Sequence, residues 1–105
     1  MKDEEKIKII KETIFLNTGV HFEELQGKTR SQRVVEIRHI FHYLTRTFTL
    51  LGLEDIGILT NRNHSTVIHS ERTIGNWIIT DVKFRMLFNA IMESVKSQMK
   101  EKELV

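Results

Sequence analysis

Hydrophobic residues recur at helical spacing along three long stretches of the chain. Apolar positions three and four residues apart form one face of a helix. The first stretch predicts a helix over residues 3–17, which Gly19 would stop, and the second predicts a helix from about residue 31 to residue 49. The third predicts a final helix that begins after a cap at Thr80-Asp81. The three apolar stripes are Ile7, Ile10 and Ile14; then Val34, Ile37, Phe41, Leu44 and Phe48; then Phe84, Phe88, Ile91, Val95 and Met99.

Shorter segments with the same periodicity separate these helices. Residues 20–26 predict one helical turn that Gly27 ends, and residues 53–59 predict a short helix. The polar residues 60–63 are typical of a turn, and a further helix follows from His64 or Ser65 to about residue 78. The pattern therefore predicts an all-α fold of about six helices, with a helix-turn-helix at about residues 53–78.

Composition agrees with this fold and narrows the class of protein. The chain has 105 residues, the size of one domain, so we expect a single helical domain over residues 1–105. Proline and cysteine are absent, which suits helices and excludes disulfides and thiolate metal sites. No apolar run approaches the roughly 20 residues of a membrane helix, and no signal-peptide pattern follows Met1. We expect a cytoplasmic protein whose charged tail, residues 100–105, is flexible.

Positive charge is concentrated in one segment. The whole chain carries a net charge of +2, but residues 28–46 contain five basic residues and one acidic residue, a net +4. Arg38, His42 and Arg46 lie four positions apart, on a different face from the apolar stripe, and predict a stripe of exposed cations. A basic surface on a small domain is typical of proteins that bind a polyanion such as nucleic acid. The alternative is an ordinary solvated helix face.

The second helix of the helix-turn-helix begins with residues that suit base contacts. His64, Ser65 and Thr66 would stand at its amino end, and a recognition helix presents its first residues to the major groove of DNA. The periodicity turns Ile68 outward, where it could contact thymine methyl groups and is otherwise hard to explain. The alternative is that Ser65 or Thr66 only caps the helix.

Motifs of known enzyme chemistry are missing from the sequence. It contains no glycine-rich phosphate loop and no GxSxG or HExxH pattern, so we expect neither an enzyme nor a cofactor. His39 and His42, or His64 and His69, have spacings that can ligate zinc. Five histidines in a helical chain produce such pairs by chance, and no thiol accompanies them, so no metal site is predicted.

Residues 61–70 read Asn-Arg-Asn-His-Ser-Thr-Val-Ile-His-Ser and resemble a known signature. The C-terminal DNA-binding domain of the bacterial replication initiator DnaA usually has Gly-Arg-Asp-His-Thr-Thr-Val-Leu-His-Ala there. The resemblance covers roughly residues 10–95. It includes Lys28-Thr29-Arg30-Ser31, similar to the family's basic loop, and residues 53–57, similar to its Leu-Pro-Glu-Ile-Gly. It implies an all-α, Trp-repressor-like helix-turn-helix module that binds short AT-rich boxes in double-stranded DNA.

The resemblance also implies a role for each matching residue. Arg30 matches the loop arginine that enters the minor groove, and Arg38 and Arg46 match basic positions that meet the DNA backbone. His39 stands where the family often has glutamine and is counted among the DNA-binding residues, and Ile68 matches the contact with thymine methyl groups. The signature residues that would meet phosphates and bases are Arg62, Asn63, His64, Ser65 and Thr66.

Three positions depart from the family pattern. Asn61 replaces a glycine, Asn63 replaces an aspartate, and Glu36 lies in a segment that is often basic or neutral. An ionised aspartate only accepts hydrogen bonds, whereas asparagine donates and accepts and typically suits adenine. We therefore expect a preferred DNA sequence that differs from the standard box.

The resemblance predicts sequence-specific binding of double-stranded DNA in replication initiation or its regulation. The family's initiator has an ATPase domain upstream that is absent here, so we expect a regulator, a competitor for initiator boxes or an accessory replication protein, associated with the nucleoid and without ATPase activity. The alternative is a transcription regulator, or an adaptor whose partner is a protein such as a replication initiator. Ile9 beside Ile10 widens the apolar face of the first helix and favours the adaptor. The oligomeric state stays open.

Overall fold

The computed structural model describes residues 1–104, and these residues form six helices and no strand. The helices are α1 Asp3–Thr18, α2 Phe22–Gln26, α3 Gln32–Phe48, α4 Leu53–Leu59, α5 His64–Thr80 and α6 Val82–Leu104. Helices α4 and α5 flank a four-residue turn, residues 60–63, and make the helix-turn-helix. The predicted all-α architecture is confirmed.

Local side chains and backbone conformation explain where the helices end. Gly19 has φ 75°, and its N–H donates to the Phe15 carbonyl at 2.8 Å, which closes α1. Asn63 caps α5, because its side chain accepts the N–H of Thr66. Asp81 caps α6 by accepting the Phe84 N–H at 3.0 Å, so one residue separates the last two helices.

Helix α6 is longer than the charge pattern predicts. It continues through residues 100–104, where a flexible tail was expected, and residue 105 lies outside the described residues. The sequence has no glycine or proline after Gly75, and the lysine, glutamate, glutamine and methionine residues of α6 all favour helix. Nothing in the sequence therefore stops the helix at Met99.

The three long apolar stripes meet in one core. Helices α1, α3 and α6 supply most of it, and α5 adds Ile74. Ile9, Ile10 and Ile14 of α1 are all buried there. The isoleucines that widen the apolar face of α1 are therefore covered by the chain's own core, so they no longer support the adaptor interpretation. Within the described residues, no helix has the length and apolar character needed to cross a membrane.

The predicted stripe of exposed cations on α3 is wrong. Arg38 is 5% exposed and His42 is fully buried, so that only Arg46 of the three faces solvent. Helix α3 packs against α1 on one side and against α2, α4 and α5 on others. A single apolar stripe predicts a single buried face, but a central helix is covered on several faces.

Candidate nucleic-acid interface

The first turns of α5 form an exposed surface beside the turn that precedes them. His64, Ser65 and Ile68 are exposed, while Val67 and Ser70 are buried on the opposite face. The outward position of Ile68 is the one that the periodicity predicts. The exposure of Ile68, 39% for an isoleucine, leaves an apolar side chain available to a ligand.

Asn63 organises this surface. Its Oδ1 accepts the backbone N–H of Thr66 at 3.1 Å and the hydroxyls of Ser65 at 2.6 Å and Thr66 at 3.2 Å. A backbone N–H only donates, so the atom that faces it is the oxygen. The cap is therefore Asn63 rather than Ser65 or Thr66. The Nδ2 amide keeps its two N–H groups for a ligand, and the two hydroxyl oxygens are left to accept.

The turn before Asn63 requires close contact between backbone segments. The Arg62 N–H donates to the Gly57 carbonyl at 2.8 Å. A Cβ atom on Gly57 would lie 2.5 Å from the Arg62 carbonyl oxygen, so only glycine fits. Asn61 has φ 59°, a left-handed conformation that asparagine tolerates better than most residues.

Arg62 fastens the loop after α2 to this turn. Its Nη2 donates to the Gly27 carbonyl at 2.6 Å, and its Nη1 donates to the Thr60 carbonyl at 2.8 Å. Asn61 adds a bond from Nδ2 to the Gln26 carbonyl at 3.1 Å. The basic loop that contains Arg30 therefore starts next to the amino end of α5, and Arg30 is exposed in it.

The structure contradicts a phosphate-contacting role for Arg38. Its Nε donates to the Leu25 carbonyl at 2.8 Å, and its Nη2 reaches the Gly27 carbonyl at 3.4 Å. Burial, together with the neighbouring Arg62 guanidinium, lowers the pKa of Arg38 from its usual value. Arg38 thus supports the loop from inside instead of meeting solvent.

Arg46 lies near the start of α5 and stays exposed. It borders an open groove of about 450 Å³ that His64, Gly52 and α4 also line. Its Nε lies 3.4 Å from Oε1 of Glu71, and both side chains are more than a third exposed. Such a pair contributes little to stability, so Arg46 can exchange Glu71 for another anion at small cost.

His39 is buried where the family resemblance implies a DNA contact, and that expectation is wrong for this structure. The side chain is 7% exposed, and its Nδ1 lies 2.7 Å from Ser70 Oγ. The Trp77 ring packs edge-on at 5.7 Å between centroids. Burial, His69 and Arg38, in that order, lower the pKa of His39 to about 4, so its imidazole is neutral at pH 7.

His42 is a functional candidate that the periodicity placed on the wrong face. It is fully buried, with Nδ1 2.8 Å from Ser70 Oγ and Nε2 2.6 Å from Thr60 Oγ1. Burial is the main cause that lowers the pKa of His42 to about 3, followed by electrostatic repulsion from His39 when that ring is protonated and from Arg38 and Arg62. No sequence signal identifies this contact, because Thr60 and Ser70 are distant along the chain.

Comparison with known proteins decides the family. A family model described as "Bacterial dnaA protein helix-turn-helix" matches residues 7–74, which run from α1 into α5. The chain belongs to this DnaA helix-turn-helix family.

Its curated relatives are named "Chromosomal replication initiator protein DnaA". The protein of Desulfotalea psychrophila is 34% identical over 88 residues, 84% of this chain and 18% of the relative. That of Flavobacterium psychrophilum is 30% identical over 92 residues, 87% of this chain and 19% of the relative. That of Borreliella burgdorferi is 29% identical over 91 residues, which are 86% of this chain and 19% of the relative. The chain thus spans about a fifth of the length of these relatives.

Two of the departures from the DnaA signature fit the turn of this structure. Asn61 has the left-handed conformation, which glycine also adopts readily, and Asn63 caps α5 with an oxygen of the kind that an aspartate would also offer. The amide of Asn63 differs from a carboxylate in its second atom, which donates instead of accepting. Asn63 therefore offers N–H donors to a ligand where an aspartate would offer an acceptor.

The structure sorts the predicted site residues into two groups. Those around the amino end of α5 and its adjoining loop and groove are Arg30, Arg46, Arg62, Asn63, His64, Ser65, Thr66 and Ile68. Arg38 and His39 are buried behind this surface, where Arg38 donates to the Leu25 carbonyl and His39 contacts the Ser70 hydroxyl.

Proposed function

We propose that this chain binds double-stranded DNA sequence-specifically, with the first turns of α5 in the major groove, and acts in replication initiation or its regulation. The observation that carries the proposal is the match to the DnaA helix-turn-helix family over residues 7–74. The exposure of His64, Ser65 and Ile68 at the start of α5 supports it, because a recognition helix presents these positions to bases.

Two cations flank that helix and suit the DNA backbone and the neighbouring groove. Arg30 is exposed in the basic loop that Arg62 holds beside α5, and we assign it to the adjacent minor groove. Arg46, on the groove side near His64, suits a phosphate. Arg38 and His39 are left out of this contact set, since their polar atoms bond inside the protein.

Asn63 reads a hydrogen-bond acceptor in this arrangement. Recognition of adenine by asparagine is bidentate and uses the amide oxygen as well as the amide nitrogen. Here the oxygen already accepts three hydrogen bonds from Ser65 and Thr66. Only the Nδ2 donors are left, and they suit an acceptor on the major-groove edge: N7 of adenine or guanine, O6 of guanine or O4 of thymine. The expectation of a bidentate adenine contact is replaced by that of a contact to an acceptor edge, with adenine N7 among the candidates.

The test is selection of bound duplexes from a random library at two salt concentrations. We expect wild type to enrich one motif, and His64→Ala to lose it. Asn63→Asp keeps the capping oxygen and removes both donors, so it should change the preferred base at one position and leave the rest of the motif intact. Loss of one good base contact costs about 1–3 kcal/mol, or roughly 5- to 150-fold in affinity.

The outcomes separate the alternatives. Enrichment of a motif like the initiator's box supports competition or cooperation with an initiator at origins. An unchanged motif with Asn63→Asp would refute the acceptor-edge assignment alone. Weak, salt-sensitive binding without any enriched motif would refute sequence-specific binding and make a protein partner the better hypothesis.

A further inference from the structure

His42 bridges the two helices of the helix-turn-helix from behind. Its Nε2 lies 2.6 Å from the hydroxyl of Thr60, the residue that directly follows α4. Its Nδ1 lies 2.8 Å from the hydroxyl of Ser70, in the middle of α5. One rigid ring on α3 therefore fixes a point on each side of the turn that carries Asn63.

The imidazole of His42 is neutral and forms a hydrogen bond through each of its two nitrogens. A neutral imidazole has one donor and one acceptor, and a hydroxyl can meet either. Thr60 Oγ1 also lies 3.3 Å from the Gly57 carbonyl, and Ser70 Oγ lies 3.1 Å from the Thr66 carbonyl. If His42 were replaced by an apolar side chain, both hydroxyls would keep these local partners. The protein should then still fold, while the link between α4 and α5 would be gone.

The Ser70 end of the bridge is shared by a second imidazole. His39 Nδ1 shares the same hydroxyl at 2.7 Å, so two imidazoles of α3 converge on this one serine of α5. Nothing in DNA readout reaches these buried groups directly, since His42 and Ser70 are both fully buried.

We propose that His42 is a positioning residue for base readout: by tying Thr60 to Ser70, it fixes the angle at which α5 presents Asn63 and His64 to DNA. This inference rests on the proposed DNA-binding function. It concerns discrimination between sequences. Phosphate contacts from flexible, exposed arginines tolerate a small rotation of α5, whereas hydrogen bonds to base edges do not.

The experiment compares affinity for the selected duplex with affinity for a scrambled duplex of the same base composition. His42→Met fills the space without hydrogen bonds, and Ser70→Ala removes the other end of the bridge. We expect each to lower the ratio of the two affinities about tenfold, within the range for one lost base contact, with little change for the scrambled duplex. The double variant should lose less than the sum of the two single losses, because both changes break the His42–Ser70 link, while Ser70→Ala also removes the hydroxyl that His39 contacts.

A matched control separates positioning from plain loss of stability. Ile10 is buried in α1, away from the helix-turn-helix, and Ile10→Val or Ile10→Ala can be chosen to match the Tm loss of His42→Met. Compared at a temperature where both are folded, the control should keep the wild-type ratio. His42→Gln, which can restore one of the two hydrogen bonds, should recover part of the discrimination.

The results distinguish a failure of the proposed function from a failure of the positioning role of His42. A wild-type protein that binds both duplexes equally would overturn the proposed function itself. A specific wild type whose ratio is unchanged in His42→Met and Ser70→Ala would overturn the positioning role and leave the proposed function standing. If His42→Met does not fold, Ser70→Ala and His42→Gln decide the matter, since alanine suits the middle of a helix.

Discussion

The role of each cation in this surface depends on the hydrogen bonds that its atoms already make. Arg38 and Arg46 lie on the same helix, eight positions apart, and have the same chemistry. Arg38 donates to two backbone carbonyls and is buried, whereas Arg46 pairs with an exposed glutamate. Only the second arrangement can be exchanged for a phosphate without leaving buried carbonyls unpaired.

If Arg46 contacts a DNA phosphate as proposed, Glu71 is the carboxylate that competes for it. We expect Glu71→Gln to tighten DNA binding about two- to fivefold at low salt, the size of one exposed ion pair, because Arg46 is freed and a negative charge near the phosphates is removed. The gain should shrink at high salt, where exposed charges are screened. Fluorescence anisotropy with a labelled duplex measures both. Glu93→Gln breaks the other exposed pair, with Lys96, and should leave affinity nearly unchanged.

The sequence predicts correctly whether a side chain is exposed where a helix has one buried face and one solvent-facing face. The outward position of Ile68 on α5 follows from periodicity alone. Burial of His39 and His42 does not, because their partner Ser70 lies some 30 positions away on a helix that packs against α3. Hydropathy assigns a polar residue to solvent by default, and only tertiary contacts reveal a paired, buried one.

At the scale of elements, α4 and α5 are joined at one point of very close approach. The Gly57 carbonyl accepts the N–H groups of Thr60 and Arg62 at 3.0 and 2.8 Å, which draws the turn over the end of α4. No side chain can occupy that position without displacing backbone. The geometry of the helix-turn-helix therefore depends on the absence of a side chain at Gly57.

Substituting Gly57 by alanine tests this close approach. We expect Gly57→Ala to destabilise the protein by about 1–3 kcal/mol, the usual range for overpacking, and to weaken binding of the selected duplex. Thermal unfolding followed by circular dichroism gives the first effect. For a domain of this size, 1 kcal/mol corresponds to roughly 4–8 °C in Tm.

Gly75 provides the matched control on α5. A Cβ there meets nothing within 4 Å, and the residue is exposed inside the helix. Gly75→Ala should raise stability by about 0.5–1 kcal/mol, since alanine loses less backbone entropy in a helix. Equal effects from the two substitutions would contradict the assigned contact at Gly57.

The sequence predicts the elements better than their contacts. Gly19 and Asp81 end or begin helices by local geometry, so the predicted bounds of α1 and the start of α6 agree closely with the structure. The end of α6 was predicted too early, because charge alone does not stop a helix. The hydrophobic pattern of the sequence does not show that α3 is covered on several faces. It therefore does not predict that Arg38 is buried and bonded to the Leu25 carbonyl.

At the scale of the whole molecule, positive groups surround a small buried polar cluster. The Cα radius of gyration, 13.0 Å, is that of a closely packed domain of about 100 residues. Inside it, the imidazoles of His39 and His42 share Ser70, with Arg38, Arg62 and His69 as the charged or titratable groups that act on them. None of these is a carboxylate that could compensate an added proton, so the cluster is stable only while both rings are neutral.

This cluster makes stability depend on pH in a definite direction. Both histidines have folded-state pKa values below the ordinary 6.5, at about 4 for His39 and about 3 for His42. Below pH 6.5 these two histidines bind protons in the unfolded chain but stay unprotonated in the folded protein. The free energy of unfolding therefore falls as pH drops toward 4. Each group should lower the free energy of unfolding by about 2 kcal/mol between pH 7 and pH 5, or about 4 kcal/mol for the two together. Urea denaturation at pH 7, 6 and 5 measures this loss.

A His42 variant tests whether the loss of stability at low pH comes from this histidine cluster. His42→Met removes one of the two titrating rings, so its stability should fall over the same pH range by about half as much as that of wild type. Ile10→Val lowers stability while keeping both rings, and it should show the full wild-type dependence. A His42→Met protein with the same pH dependence as wild type would mean that the ring is not held neutral in the fold, because the protons taken up on unfolding must then bind elsewhere.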